Sequence, residues 1–297
     1  MTVDFLAPLA AASVAAVSAG FLQRWLRPPL AAMSLVMVAV AVAAAWLWAL
    51  LALTLGAVGH VPVLERWSAW CPDLHGVEGA FAPVAGTLGG LLLAVAGVRS
   101  SRAARDEHLA RRRMPTCDRG LLIVDSEEPT AYAVPGSMGG VVVSTGMIQA
   151  LAPLEQNVLW AHERSHLVHR HHWYLVAAEM AVAIVPVLRP MAKQVRFATE
   201  RWADEDAAHC VGDDRTLVAR AIARAALASV DHRRPTMALA DTGVGDRVRA
   251  MLDVDRRSLA PLGASVVGTV IMAAALGGST IQLHHLVGFV VHLCGGA

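Results

Sequence analysis

Trp160-Ala161-His162-Glu163-Arg164-Ser165-His166 is the stretch that decides how this chain is read. His162 and His166 are four positions apart, so on an α-helix their imidazoles share one face, a turn from each other. Two neutral imidazoles so placed can hold one Zn²⁺. Glu163 then lies beside the metal's open position, where a carboxylate can take a proton from zinc-activated water. The start of such a helix is marked: Pro153 suits its first position and Glu155 its first turn. The spacing predicts a helix from Leu154 through about His172.

Two histidines need a third ligand. His172 stands where a His-Glu-x-x-His-x-x-Gly-x-x-His pattern would place a third histidine, but His169 occupies the glycine position, where the chain must turn out of the helix. The other candidate is Glu200-Arg201-Trp202-Ala203-Asp204, which begins 34 positions after His166. Glu200 and Asp204 share a helix face, so one can meet the metal while the other accepts the N–H of a ligand histidine. His169, His171 and His172 read as a polar helix end, with a second metal or oxyanion role as the alternative. His209 is a candidate oxyanion stabiliser.

Outward from this helix the pattern changes. Upstream, the short runs Leu121–Val124, Ala131–Val134 and Val141–Ser144 are parted by turn residues such as Pro135-Gly136 and Gly139-Gly140, the mark of strands. Downstream, helical patterns cover roughly Val195 to Val211 and continue to Asp255. The apolar run Trp173 to Leu188 is short for a membrane span and contains Glu179, so a buried or interfacial helix is expected there. A small sheet followed by helices is an α+β arrangement that is mostly α-helical.

Hydrophobic residues make up 56% of the 297 and charged residues 16%, against about 45–50% and about 25% in soluble domains. The excess lies in blocks. Residues 1–98 read as three transmembrane helices (about 5–23, 30–58 and 80–98), residues 99–259 as a cytoplasmic catalytic domain, and residues 260–297 as a fourth transmembrane helix with a short tail. Asp4 stands where a signal peptide would carry a basic segment, which favours an uncleaved first span. Arg24 and Arg27 follow span one, and Arg99, Arg102, Arg105 and Arg111 to Arg113 follow span three. The 59–79 loop holds only Arg66. Basic residues collect on the cytoplasmic side, so 99–259 is expected there, in a multi-pass protein of the cell membrane.

The net charge of +1 gives no basic field, and no direct nucleic-acid binding is expected. Cys71, Cys117, Cys210 and Cys294 form no Cys-x-x-Cys pair, which speaks against a zinc ribbon or a dithiol redox site. The four spans hold no ionisable residue, which speaks against a transporter.

Val141-Val142-Val143-Ser144-Thr145-Gly146, the His162–His166 helix and Glu200-x-x-Ala203-Asp204, in that order, resemble the membrane zinc metallopeptidases. That group includes the HtpX-like proteases and the BlaR/MecR-type antirepressor peptidases. Ala131-Tyr132-Ala133-Val134-Pro135-Gly136 resembles the strand before this block, and Arg247-Val248-Arg249-Ala250-Met251-Leu252 a later helix; the likeness covers roughly residues 120 to 255. It implies a zincin-like (gluzincin) catalytic domain inserted between transmembrane helices. It further implies His162, His166 and Glu200 as ligands of one Zn²⁺ per chain, Glu163 as general base, and Asp204 behind a ligand histidine. Val141, Val142, Val143 and Ser144 would form an edge strand that a substrate peptide extends. No penicillin-binding sensor domain is expected. The implied activity is hydrolysis of a protein or peptide substrate, a transcriptional repressor or a membrane protein, at the lipid bilayer. The alternative is a non-catalytic zinc-binding membrane module that signals by binding a partner.

Overall fold

The three expected strands form where their β-branched residues stand: β1 (Leu121–Val124), β2 (Ala131–Val134) and β3 (Gly140–Ser144). They come from a computed structural model of the chain, which describes residues 26–58, 82–117, 120–231 and 243–253. The expected spans at 5–23 and 261–283, the 59–79 loop and the C-terminal tail lie outside the described residues.

The sheet order is β1-β3-β2, with β3 parallel to β1 and antiparallel to β2. Val141, Val142, Val143 and Ser144 are therefore not an edge strand. β3 is the middle strand, hydrogen-bonded on both sides and buried along its length. An unbroken valine run suits a strand covered on both faces. The free edge that meets the helices belongs to β2. Gly140 is required at the start of β3, because a Cβ there would lie 2.3 Å from the Gly120 carbonyl oxygen.

Ser144 ends β3 and caps the short helix α3 (Thr145–Ala150), its hydroxyl accepting the Met147 N–H at 3.1 Å. Helix α4 (Pro153–Val168) follows, with proline at its start as expected. Its Glu155 is buried, accepts the Ala152 N–H at 3.0 Å, and pairs with Arg220 and Arg224 at 2.9 Å each. Those arginines lie on α7 (Arg215–Asp231), so the ion pairs fix the roll of α4 against α7. The helix ends sooner than expected. Arg170 takes a left-handed backbone (φ 53°), and α5 (His171–Ile184) begins at once in a new direction.

The apolar run after the motif is thus the helix α5. It buries Ala178, Ala181 and Val182, while Glu179 stays outside, 3.6 Å from Arg196. A 3₁₀ turn (Pro186–Leu188) leads into α6 (Arg189–Cys210), which starts about six residues before the expected Val195, with proline in its first turn. The last described helix is α8 (Val244–Leu252).

Two long helices complete the fold. α1 (Pro28–Val58) and α2 (Ala82–Arg113) cover the expected second and third spans, and α2 continues as helix through the arginine-rich segment. Both are long and apolar enough to cross a membrane. They pack closely at Gly89, where a Cβ would lie 3.1 Å from the Leu53 Cβ. α2 leaves Val84, Leu88, Leu91 and Val95 exposed. The other side of α1 shares a core with α5 and α6, through Leu35, Val38, Ala39 and Val42 against Val182 and Val195. Ala31 and Ala32, in its first turn, pack on Ala198 and Trp202 of α6.

Candidate metal centre

Helices α4 and α6 cross so that the faces bearing the motif residues meet. His162 and His166, one turn apart on α4, bring their Nε2 atoms to 3.2 Å. Glu200 of α6 faces both, with one carboxylate oxygen 3.5 Å from His162 Nε2 and the other 3.7 Å from His166 Nε2. One donor atom from each of the three falls within 4.8 Å of the others. A tetrahedral zinc with ligands about 2.0–2.2 Å away has ligand-to-ligand edges of about 3.3–3.6 Å, so this donor set, two imidazoles and a carboxylate, fits a zinc ion in both size and chemistry.

The far nitrogens of the two histidines are also engaged. His162 Nδ1 lies 3.0 Å from Asp204 Oδ1. Its partner Asp204 is fully buried and held by Arg247, whose Nε and one terminal nitrogen donate to the two carboxylate oxygens at 2.8 and 2.6 Å. The other terminal nitrogen of Arg247 is 3.0 Å from Glu200. His166 Nδ1 lies 2.9 Å from His171 Nδ1. Beside these, Ser165 donates to Asp206 at 2.6 Å, and His169 Nε2 lies 2.9 Å from the same carboxylate oxygen, a second tie between α4 and α6.

Charge and burial set the protonation of the cluster. Burial pulls His162 down, but its hydrogen bonds to Asp204 and Glu200 outweigh this and push it up to about 10. Burial, aided by the positive His162, pulls His166 down to about 4. Burial would raise Glu200 and Asp204. The hydrogen bond from His162 and the Arg247 charge overcome it at Glu200, and Arg247 above all does so at Asp204, so both stay below the usual carboxylate range. Glu163 goes the other way: burial lifts it above that range, the Glu200 charge adds to the rise, and His162 opposes it. A carboxylate kept hungry for a proton in this way is suited to base chemistry.

Glu163, His162, His166 and Glu200 line one cleft of about 660 Å³. β2 with its approach, from Pro129 to Ala133, lines it, and so do the apolar Met147, Leu151 and Ile222. The cluster thus unites His162, Glu163, His166, Glu200 and Asp204. It leaves out His209, which is exposed near the end of α6, pairs with Asp213 at 2.8 Å and does not line the cleft. Val141–Ser144 lie one strand behind the cleft. His172 lines the cleft but is outside the group of three ligands.

Two residues of the site escape a reading of motifs. Arg247 stands in sequence only as part of a later helix, yet it pairs with both the fully buried Asp204 and the partly exposed Glu200. His171 reads as one of several helix-end histidines, yet it is fully buried behind His166. The only advance signal for Arg247 is physical: a carboxylate buried as fully as Asp204 needs a cation beside it.

A base beside a two-histidine, one-carboxylate donor set is the arrangement of a metal-dependent hydrolase. Consistent with it, residues 104–249 match the model of Peptidase family M48, which supports an M48 zinc metallopeptidase. No curated protein and no solved structure matches the chain.

Proposed function

We propose that the chain is a membrane-embedded zinc endopeptidase of gluzincin type, with its cleft on the cytoplasmic side. The observation that carries this reading is the meeting of His162, His166 and Glu200 in one cleft with Glu163 on the same wall. His162, His166 and Glu200 would hold the Zn²⁺. Bound there, the ion would lower the pKa of water to about 7 and polarise the scissile carbonyl. Glu163 takes the proton of the attacking water and passes it to the departing amine. Asp204, held by Arg247, fixes the ring of His162. A substrate peptide adds to the free edge of β2, which brings its carbonyl to the cleft. The exposed apolar face in the first half of α2 and the arginines in its second half support insertion with this orientation.

The test is Glu163→Ala. Zinc stoichiometry should stay at one per chain while cleavage of a verified substrate falls by several orders of magnitude. Undiminished cleavage would falsify the mechanism. A non-catalytic zinc module is the competing reading, and the placement of Glu163 argues against it: a purely structural site needs no base in an open cleft. Comparing cellular proteins before and after Glu163→Ala identifies the substrate. One lost cleavage of a DNA-binding repressor means signalling; many accumulating membrane proteins mean quality control.

A further inference from the structure

His166 and His162 are supported differently. Behind His162 stands a carboxylate, Asp204. Behind His166 stands another imidazole, with His171 Nδ1 at 2.9 Å from His166 Nδ1 and the two rings edge to face at 4.8 Å. His171 is 0% exposed, and its Nε2 has no hydrogen-bond partner among the described residues.

That burial is hard to explain by packing alone. The space around His171 is aromatic, with Trp202 at 4.8 Å and Tyr174 at 6.3 Å between ring centroids. A phenylalanine would fill it without burying an unpaired nitrogen, which costs about 1–3 kcal/mol. The local backbone is also unusual. Arg170, a non-glycine residue in the left-handed region, ends α4 and turns α5 so that its first residue comes back beside the last turn of α4. Chain direction, burial and the unpaired nitrogen all converge on one contact, the one with His166.

We infer that His171 is a positioning residue for His166: its Nδ1 accepts the proton of His166 Nδ1, which leaves His166 Nε2 bare and aimed at the metal. An imidazole can hold a metal through Nε2 only if its other nitrogen carries the proton, so the acceptor behind it selects the tautomer and the ring's direction. His171 must then carry its own proton on Nε2, the nitrogen buried from solvent. The inference rests on the zinc site proposed above and concerns how that site is held.

Two substitutions in the full chain separate positioning from packing. His171→Phe keeps the volume and removes the acceptor. His171→Asn places an amide oxygen near the Nδ1 position but leaves space behind it. Zinc affinity is read by competition with a chromophoric chelator, and stability by thermal unfolding of the zinc-free chain. His171→Phe should lose about 10–100-fold in zinc affinity, the usual effect of removing such a partner, while unfolding near the wild-type temperature. His171→Asn should unfold sooner yet bind zinc more tightly than His171→Phe. Affinity that simply follows stability, with the phenylalanine variant binding as wild type, overturns the inference.

A measurement on the unaltered zinc-loaded chain decides the matter even where a variant does not fold. Nitrogen-15 NMR of labelled imidazoles should show His166 protonated at Nδ1 and His171 at Nε2. A His171 protonated at Nδ1 overturns it. Loss of zinc in Glu200→Gln alongside wild-type affinity in His171→Phe would leave the metal site standing and this role refuted. A wild-type chain that binds no zinc refutes the metal site itself.

Discussion

At the scale of single residues, the proposed metal ion would compete with a proton for His162. Asp204 and Glu200 push its pKa up to about 10, so the cationic form is favoured at every pH below that value. Zinc can use the nitrogen only after the proton leaves, so binding at neutral pH should release a proton. The zinc affinity should rise about tenfold per pH unit between pH 6 and 9 for one displaced proton. Titration calorimetry in buffers of different ionisation enthalpy measures that release directly; a pH-independent affinity would contradict it. Arg247 poses the complementary question. It is the cation that the buried Asp204 and the partly exposed Glu200 share, and their charges hold its own pKa above the usual arginine range in spite of burial. Arg247→Met should destabilise the zinc-free chain by about 3–5 kcal/mol, the cost of stranding a buried charge. Added zinc should narrow the deficit, since the ion supplies charge to the same carboxylates; unfolding curves with and without zinc give both numbers. His162, Glu163 and His166 were legible in the sequence because one helical turn fixes their geometry. Arg247 was not, since its bond to Asp204 spans 43 positions and leaves no periodic trace.

At the scale of elements, the strands were legible and their neighbours were not. Leu121–Val124, Ala131–Val134 and Val141–Ser144 announce themselves by residue type and flanking turns. Which strand lies in the middle depends on a crossover that residue type does not encode, and here the third strand inserts between the first two. On the proposed reading, the edge that a peptide would extend is therefore β2. Just before β2, Thr130 faces β3, its carbonyl accepting the Ser144 N–H at 2.9 Å. By the alternation of an antiparallel ladder, Ala131 then turns its N–H and C=O away from β3, toward the cleft. Ala131→Pro removes that outward N–H and spares the pairing with β3, a placement that edge strands tolerate. It should raise KM about tenfold, the worth of a hydrogen bond of about 1.4 kcal/mol, with zinc affinity unchanged. An unchanged KM would mean that substrate does not pair with this edge. α4 ends at Val168, about four residues before the expected His172, for a related reason. His169, Arg170, His171 and His172 suit a helix end but include no glycine or proline to fix where it falls, and the break comes at Arg170, from which α5 runs on to pack against α1 and α6.

At the scale of the whole molecule, a cleft on the cytoplasmic side implies opposite accessibility for two cysteines. Cys210 is exposed at the end of α6, and Cys71 belongs to the 59–79 loop. In intact cells a membrane-impermeant maleimide should label a variant retaining only Cys71 and leave one retaining only Cys210 unlabelled until the membrane is opened. The reverse pattern would invert the topology. The contact of Ala31 and Ala32 with Ala198 and Trp202 bears on reach. Trp202 stands two residues from Glu200, so the first turn of α1 is clamped directly to the helix that carries the third donor. On the membrane reading, no swinging tether separates lipid from chemistry. The cleft stays at a set height above the bilayer, and an extended peptide gains only about 3.3 Å per residue as it climbs away from it. Such an enzyme works as a depth gauge: the bond it cuts in a membrane-anchored substrate is chosen by counting residues from the lipid surface, and lengthening that stretch by insertion should move the cut along the sequence while holding its distance from the membrane constant.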